Sequence, residues 1–461
     1  MQQESKKNKE WWEKPGFGIM YQIEARPGWI WNRNFDKFNT SMMDKDGNLN
    51  FNGPFCKMEE WVEFSKKVGV DYHVFEAKWH DGICYFDTEY TNWKTPTDYC
   101  KIFSEESKKL KIPFMFYYSS IFDHNPQFDD IQPLRGITPS FIARHDDKKE
   151  KIAKYSMRFA KVIEKSIQTI RSDRGDYNIE FFDDVEFHDF TYNPEKYEEY
   201  LINQLRELID TYNPSGMWMD WYWEAEEAST FLVMDLIEKE YPNLILTFNV
   251  SIQRNPRYIH YLSGEAHDVP TAWNSGNRYR SKEIPWELCG PAAYGWDVPY
   301  ARKDPFEIFR IATIIMASGG KFCFGLPSQM DGEIYPEPAA NVELFGNWYK
   351  SRQNLFTEAV PMGYEGNVVP GVEVDNEHIG VIGTLYEKNT LIHLINLKGM
   401  KRDITLRFSK EKWNNIEKIL IEPEEKDLEH ICRDNLYVIN IKKKHLDEAD
   451  TILRIKFKPK S

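Results

Sequence analysis

Short apolar segments alternate with amphipathic ones along most of this 461-residue chain. Runs of about four to eight apolar, β-prone residues predict strands, and apolar positions at helical spacing predict helices. A repeated strand–helix alternation is typical of a parallel sheet or a barrel. The predicted strands are Gly16–Ile23, Asp71–Ala77, Pro113–Ser119, Met217–Asp220, Leu244–Val250, Ile259–Glu265, Trp286–Cys289 and Lys321–Pro327.

The helical segments and the end of the alternation define the predicted domains. The predicted helices are Met58–Val68, Asp98–Leu110, Pro194–Tyr212 and, within a long polar insert, a helix near 151–171. From about Val360 the pattern changes to alternating strands joined by short turns, which predicts a β-sandwich. We therefore expect an α/β protein with a distorted (β/α)8 TIM-like barrel over residues 1–358 and a small β-sandwich over residues 359–461.

Composition narrows the classes of partner. The formal net charge is −14, and because nucleic-acid binding needs a basic surface, the acidic balance argues against that partner. Aromatic residues make up 15% of the chain, which favours packing against sugar rings, although a Trp-rich core explains it equally well. No apolar run reaches the length of a membrane span, and the charged N-terminal segment does not resemble a signal peptide. We expect a cytoplasmic protein that does not bind membranes.

Cysteine and histidine spacing indicates neither disulfides nor a metal. The six cysteines include no C-x-x-C pair, so we expect reduced thiols, and the histidines show no H-x-x-x-H spacing. We therefore expect no metal and no cofactor. An acidic cluster at residues 183–189 is typical of a solvated loop, with contact to a cation or to the substrate as the alternative.

Polar residues lie at the ends of four predicted strands. Gln22 follows GIMY, the segment Lys78–Gly82 follows the second strand, Tyr117 lies in the third and Asp220 ends the fourth. In a β/α barrel the carboxyl ends of the strands meet at one mouth, where catalytic groups lie. Each residue alone also fits a helix cap or a hydrogen-bonded core position. Polar residues at the same end of four strands, however, indicate a functional site.

Asp220 is the sharpest candidate. Trp218 and Met219 precede it and Trp221 follows it, so its carboxylate is expected among apolar walls, where burial is costly unless a partner or a reaction compensates. The alternative is that Asp220 caps the segment that follows it. Spacing alone does not separate a catalytic carboxylate from a helix cap.

Six motifs occur in a fixed order: FGIMYQ, KWHDGICYFDTEYTNW, FYYS, WMD, WELC and SGGKFCFGLPSQMDGEI. Their order and content resemble glycoside hydrolase family 29, the α-L-fucosidases, over nearly the whole chain. That family carries F-G-x-x-x-H-W-G, K-H-H-D-G-F and G-G-N-x-L-L-N-x-x-P-x-x-D-G-x-I. The resemblance implies a retaining exo-glycosidase with a carbohydrate substrate, most simply terminal α-L-fucose, that forms a covalent glycosyl-aspartate.

The resemblance also implies roles for individual residues. Asp220 falls on the family's nucleophile, His80 on the second histidine of its His-His pair and Tyr117 on the first tyrosine of its Tyr-Tyr pair. Arg254 is the best match for the sugar-binding arginine, although it stands in SIQRNP and not in the family's N-D-R-W-G. Glu265 is the nearest equivalent of the acid/base. Retaining hydrolysis needs two carboxylates about 5 Å apart, so we expect Asp220 and Glu265 to face each other.

Alternatives remain for the acid and for the sugar. Glu224 and Glu226 are reserve candidates for the acid, and Glu287 is another, for which a structural role in the WELC segment is favoured. His267 either orients Glu265 or packs. Two departures concern substrate binding, since Gln22 and Trp79 stand where the family has histidines. The departures leave open another sugar, galacto-configured or substituted, and a non-catalytic carbohydrate-binding relative. The sequence does not indicate the linkage, the aglycone or the oligomeric state.

Overall fold

A computed structural model of the protein describes residues 10–23, 43–46, 48–120, 123, 125–128, 194–220, 229–253, 256–280, 284–296, 302, 304–363, 369–399 and 401–458. The predicted helix near 151–171 and the acidic cluster at 183–189 lie outside the described residues. No helix in the described part of the chain is both long enough and apolar enough to cross a membrane.

Eight parallel strands form the first sheet. They are β1 (Gly16–Gln22), β2 (Tyr72–Lys78), β3 (Phe114–Ser119), β4 (Gly216–Asp220), β5 (Ile245–Phe248), β6 (Leu262–Glu265), β7 (Trp286–Pro291) and β8 (Lys321–Pro327). Their order is β5-β4-β3-β2-β1-β8-β7-β6. A backbone hydrogen bond of 3.0 Å from His260 to the Leu246 carbonyl oxygen links the two end strands. The sheet is therefore a nearly closed barrel, as predicted.

Helices alternate with these strands. They are α1 (Met58–Val68), α2 (Tyr99–Leu110), α3 (Pro194–Tyr212), α4 (Ser229–Glu240), α5 (Val269–Tyr279), α6 (Phe306–Ala317), α7 (Pro336–Lys350) and α8 (Gln353–Thr357). Asp98 caps α2 by accepting a hydrogen bond from the Lys101 N–H, and Asp268 caps α5 by accepting one from the Thr271 N–H. Between β5 and β6 the described residues form a 3-10 turn at Ser251–Gln253 and no α-helix, which makes the barrel irregular at that point.

Most predicted strands differ from the observed ones by one or two residues at an end, and two predicted strands are too long by two or more residues at one end. The fifth ends at Phe248 and not at Val250, because Val250 has φ +57° and a β-branched residue in that region does not continue a strand. The sixth begins at Leu262 and not at Ile259. The His260 imidazole accepts a hydrogen bond from the Leu246 N–H, so a side chain replaces a strand-pairing bond there.

The C-terminal residues form two antiparallel sheets. Their strands are β9 (Val360–Pro361), β10 (Val372–Val374), β11 (Ile379–Tyr386), β12 (Asn389–Asn396), β13 (Ile404–Ser409), β14 (Ile416–Glu422), β15 (Lys426–Asp427), β16 (Ile431–Arg433), β17 (Leu436–Ile441) and β18 (Asp450–Phe457). The sheet orders are β10-β13-β17-β16 and β15-β14-β18-β12-β11-β9. Apolar residues from both sheets form one core, so the predicted sandwich is confirmed.

Aromatic residues fill the barrel and close its amino-terminal end. Met20, Met115 and Trp218 lie in the interior, and Trp11 packs against Tyr72 with ring centroids 5.2 Å apart. The Lys321 ammonium at the start of β8 donates to the Trp12 carbonyl oxygen. All six cysteines are free thiols. With one end filled, the carboxyl ends of the strands are the place where a ligand can enter the barrel.

We predict that Gly346→Ala lowers the melting temperature. Gly346 lies in α7 against α1, and an added Cβ would overlap the carbonyl oxygen and the Cβ of Val68. Overpacking against a backbone atom costs about 1–3 kcal/mol, which exceeds the helix-propensity gain of about 1 kcal/mol for Gly→Ala. Differential scanning fluorimetry measures the shift. The control is Gly363→Ala, where a Cβ meets nothing within 4 Å, and an equal shift for both variants would refute this packing.

Candidate active site

The Asp220 carboxylate ends β4 at the mouth of the barrel and is held by donors from three other strand ends. The Tyr117 hydroxyl donates to Oδ2 at 2.6 Å, and the Asn249 amide nitrogen donates to Oδ1 at 3.0 Å. Nε2 of His80 lies 3.3 Å from Oδ2. Only 7% of Asp220 is exposed. Hydrogen bonds to both oxygens favour the ionised form of this buried carboxyl group.

One amide joins Asp220 to Glu265. The Asn249 Nδ2 that donates to Asp220 also donates to Oε1 of Glu265 at 2.9 Å. Both oxygens therefore lie no more than about 6 Å apart, and the divergence of the two N–H bonds of an amide sets them about 5 Å apart. Two carboxylates on β4 and β6 thus share one neutral donor between them.

His80 is oriented from the neighbouring strand. Its Nδ1 lies 2.7 Å from Oγ of Ser119 at the end of β3, which directs the opposite nitrogen towards Asp220. Gly82 follows with φ +78°, and a Cβ there would collide with the backbone nitrogen of Asn125. Glycine at this position lets the loop after β2 lie close to the segment around Asn125, which follows β3.

Glu265 has a second partner on its own strand end. Its Oε2 lies 2.8 Å from Nε2 of His267, and the imidazole meets the Trp296 ring edge-on at 5.6 Å. The Arg302 guanidinium donates to the His267 carbonyl oxygen at 2.7 Å and pairs with Glu307 at 3.1 Å. Glu265 and His267 are about one-third and nearly half exposed, so this side of the mouth faces solvent.

The floor beneath the two carboxylates is a buried polar cluster around Glu287. Its Oε1 accepts from the Trp218 indole at 2.9 Å and from the Ser263 hydroxyl at 3.2 Å, and its Oε2 accepts from the Tyr72 hydroxyl. Trp218 stacks on Tyr117 with ring centroids 5.4 Å apart. Burial raises the pKa of the Glu287 carboxyl above its ordinary value. Glu287 supports Tyr117 from below and does not reach the mouth.

Gln22 and Trp79 lie at the same end of the barrel. Gln22 ends β1, and its Oε1 and the Trp296 ring both lie close to Gly325 of β8. Only 6% of Gln22 is exposed, and its Oε1 has no hydrogen-bond donor among the described residues. Trp79 is buried beside His80, with ring centroids 4.7 Å apart. This end of the barrel thus combines aromatic faces with a buried glutamine oxygen that has no donor among the described residues.

The structure brings most of the predicted site residues together. Asp220, Glu265, His80 and Tyr117 form one hydrogen-bonded group, and Gln22 and Trp79 lie at the same end of the barrel. Arg254, Glu224 and Glu226 lie outside the described residues. Among the described residues, no group of three or more His, Cys, Asp or Glu side chains has a metal-binding arrangement.

The sequence prediction missed two residues of the mouth. Asn249 follows β5 directly, and its position at a strand end was a signal of the same kind that singled out Asp220. Trp296 lies in the segment after β7, where no polar residue marks the strand end. The contact of Asn249 with Glu265 and the contact of Trp296 with His267 do not follow from sequence spacing, because both depend on how the strands close into a barrel.

Comparison with known proteins identifies the family. A family model described as alpha-L-fucosidase matches residues 1–354, the larger part of the chain. Comparison with curated proteins finds no match.

Solved structures share the fold at low sequence identity. Alpha-L-fucosidase isoenzyme 1 from Paenibacillus thiaminolyticus is 16% identical, with a TM-score of 0.66 over 97% of this chain and 98% of that chain. The Thermotoga maritima alpha-fucosidase in complex with fucose is 14% identical, with a TM-score of 0.64 over 97% and 96%. A family 29 alpha-L-fucosidase from Bacteroides thetaiotaomicron, trapped as a covalent intermediate, is 17% identical, with a TM-score of 0.63 over 97% and 94%.

We predict that Glu287→Gln makes stability less dependent on pH. A folded-state pKa raised by burial means that Glu287 contributes stability below its unfolded pKa and loses it as the pH rises through the folded pKa. Glutamine is neutral throughout and keeps an acceptor for the Trp218 indole. The melting temperature of the variant, relative to wild type, should therefore rise as the pH increases from about 4 to 8.

The matched control is Glu429→Gln at an exposed position. It should follow the wild-type pH profile. A constant offset between Glu287→Gln and wild type across the whole pH range would contradict a buried carboxyl with a raised pKa.

Proposed function

Because the chain belongs to the α-L-fucosidase family of glycoside hydrolases, we propose that it releases terminal α-L-fucose with retention of configuration. Asp220 is the nucleophile and Glu265 is the general acid/base. The observation that carries this proposal is the single Asn249 amide that bonds to both carboxylates.

The spacing supports a double displacement. Retaining glycosidases hold their two carboxyl groups about 5–5.5 Å apart, whereas inverting enzymes need about 6.5–9.5 Å to admit a water molecule. Asp220 and Glu265 bond to one nitrogen, at 3.0 and 2.9 Å, so their facing oxygens cannot reach the inverting range. The gap between the two carboxylates is therefore too small to hold both the sugar and an attacking water molecule in a single displacement. Asp220 attacks the sugar itself.

The two carboxylates then take different roles because their surroundings differ. Asp220 is nearly buried and accepts hydrogen bonds from Tyr117 and Asn249, which keeps it ionised for attack on C1. Glu265 is about one-third exposed at the rim, where a leaving group departs and water arrives. A rim carboxyl can therefore donate a proton to the leaving oxygen and afterwards accept one from water.

We predict that Asp220→Ala and Glu265→Ala fail in different ways. Without its nucleophile, Asp220→Ala should lose activity on aryl α-L-fucosides by about 10⁴-fold or more. Glu265→Ala should lose about 10²–10⁴-fold on a poor leaving group and much less on 2,4-dinitrophenyl fucoside, which needs no acid. The values of kcat/KM with both substrates measure the difference, because kcat/KM reports the step in which the leaving group departs.

Two further observations complete this test. Asp427→Ala, at an exposed position in β15, is the control and should retain full activity. Mass spectrometry after incubation with 2-fluoro-fucosyl fluoride should show an adduct on Asp220 in wild type. Undiminished activity of Asp220→Ala, or an adduct on another residue, would refute the assignment.

A second candidate function keeps the mechanism and changes the sugar. Gln22 stands at the position of a family histidine, and its buried Oε1 has no donor among the described residues. An amide in place of an imidazole changes the donors and acceptors at this strand end, and a site rejects sugars that leave its polar groups unpaired. A galacto-configured sugar with a hydroxyl there is the alternative substrate.

We predict that Gln22→His shifts the sugar preference. The imidazole restores the family's residue, so the ratio of kcat/KM for aryl α-L-fucoside over aryl galactoside should rise by about 10-fold. Gln329→His, in the loop after β8, is the control and should leave the ratio unchanged. A wild-type preference for fucoside that Gln22→His does not alter would exclude Gln22 as a determinant of sugar choice.

A further inference from the structure

The exposed Phe, Tyr and Trp side chains of the described residues all lie at the mouth end of the barrel. They are Phe55, Tyr90 and Tyr294. Each stands in a segment that connects a strand to the following helix, namely β1 to α1, β2 to α2 and β7 to α6. Such segments lie at the carboxyl ends of the strands. One exposed apolar residue is ordinary on a protein surface, so the position of each ring decides whether it can meet a ligand.

Tyr294 follows the strand that lies next to Glu265. β7 pairs directly with β6, and Cys289 of β7 is the register partner of Glu265. The Ala266 N–H donates to the Cys289 carbonyl oxygen at 2.9 Å, so the two strand ends stay together up to the mouth. By contrast, β2, which precedes Tyr90, is separated from β6 by three strands in either direction around the barrel. Tyr294 is therefore on the Glu265 side of the mouth and Tyr90 is across from it.

The backbone around Tyr294 is held on both sides. The buried Ala292 donates its N–H to the Gly325 carbonyl oxygen at 2.8 Å. The Trp296 ring lies so close to Gly325 that a Cβ there would be 2.3 Å from it, and it also meets the His267 ring edge-on. Between these two anchors the Tyr294 side chain is 78% exposed. A fixed backbone thus presents a ring whose faces are open to solvent, which lowers the ordering cost of binding.

An open tyrosine ring on this side of the mouth suits a sugar in the leaving group. Glu265 is about one-third exposed, and its Oε2 lies 2.8 Å from His267, which meets Trp296 two residues beyond Tyr294. The chain that departs from the acid therefore passes the segment that carries Tyr294. A pyranose ring has an apolar C–H face that packs flat on an aromatic ring, and tyrosine offers that contact area with few rotatable bonds.

We infer, resting on the proposed function, that Tyr294 is the aromatic platform of a subsite for the leaving sugar. The substrate class is an oligosaccharide in which the terminal sugar is linked to another pyranose, and that second ring packs on Tyr294. Tyr294 makes and breaks no bond, so it is a specificity-determining residue that binds the leaving group before and during its departure.

The test compares two leaving groups that differ by one sugar ring. Methyl α-L-fucoside and disaccharides of α-L-fucose linked to each hydroxyl of galactose or N-acetylglucosamine all release a poor leaving group that needs the acid. Only the disaccharides offer a ring to Tyr294. Wild type should therefore hydrolyse the best disaccharide with kcat/KM about 3–10-fold above that of methyl fucoside. Anion-exchange chromatography measures the released sugar.

We predict that Tyr294→Ala removes this preference. Its kcat/KM should fall by about 3–10-fold on the disaccharide and by less than about 2-fold on methyl fucoside, because only the disaccharide loses a contact. Tyr294→Phe keeps the ring without the hydroxyl group and should retain the wild-type preference.

Tyr90→Ala provides the matched control. It removes an exposed tyrosine at the same end of the barrel but across from Glu265, so it should change neither value of kcat/KM. Equal losses of Tyr294→Ala on both substrates would overturn the inference, because a general disturbance of the mouth does not discriminate between them. A wild type that hydrolyses no disaccharide faster than methyl fucoside would overturn it as well.

The same assay separates this inference from the proposed function. If wild type releases galactose and not fucose from such substrates, the fucose assignment fails, and methyl galactoside with the matching galactosyl disaccharides still tests Tyr294. If wild type hydrolyses fucosides but Tyr294→Ala shows no preference for either loss, the proposed function stands and the subsite is refuted. Absence of any glycoside hydrolysis by wild type would overturn both.

Discussion

The two N–H bonds of the Asn249 side chain constrain the whole mouth of the barrel. They reach Asp220 on β4 and Glu265 on β6, and neither strand pairs directly with the other. Asn249 is buried, and its amide oxygen is tied to the backbone of Val250, whose positive φ is costly for a β-branched residue. Strain of that kind persists only where surrounding contacts hold it. Here the strained turn after β5 holds the amide that spaces the two carboxylates.

The interior of the barrel supports that arrangement from below. Glu287 accepts hydrogen bonds from Tyr72 and Trp218, Trp218 stacks on Tyr117, and Tyr117 donates to Asp220. The amino-terminal end is closed by aromatic residues, so polar groups that reach solvent are confined to the carboxyl ends of the strands. A buried carboxylate at the mouth and a second one beneath it are tolerated because each is surrounded by donors.

The sequence predicts those site residues whose positions depend only on their place at the end of a strand. His80, Tyr117 and Asp220 end neighbouring strands, and parallel pairing of β2, β3 and β4 brings their ends together without further information. Asn249 was missed because an asparagine after a strand equally suits a turn. Its contact with Glu265 depends on how β5 and β6 meet across the irregular point of the barrel. That closure rests on a histidine side chain and a strained residue, which no periodic pattern encodes.

The most direct measurement is the configuration of the sugar that the enzyme releases first. Proton NMR of an aryl α-L-fucoside digest, recorded before the free sugar equilibrates between its anomers, resolves the two anomeric signals. Two carboxylates about 5 Å apart require two displacements, so α-L-fucose should appear first. Initial formation of the β anomer would mean that water acts between Asp220 and Glu265, and would contradict the spacing set by Asn249.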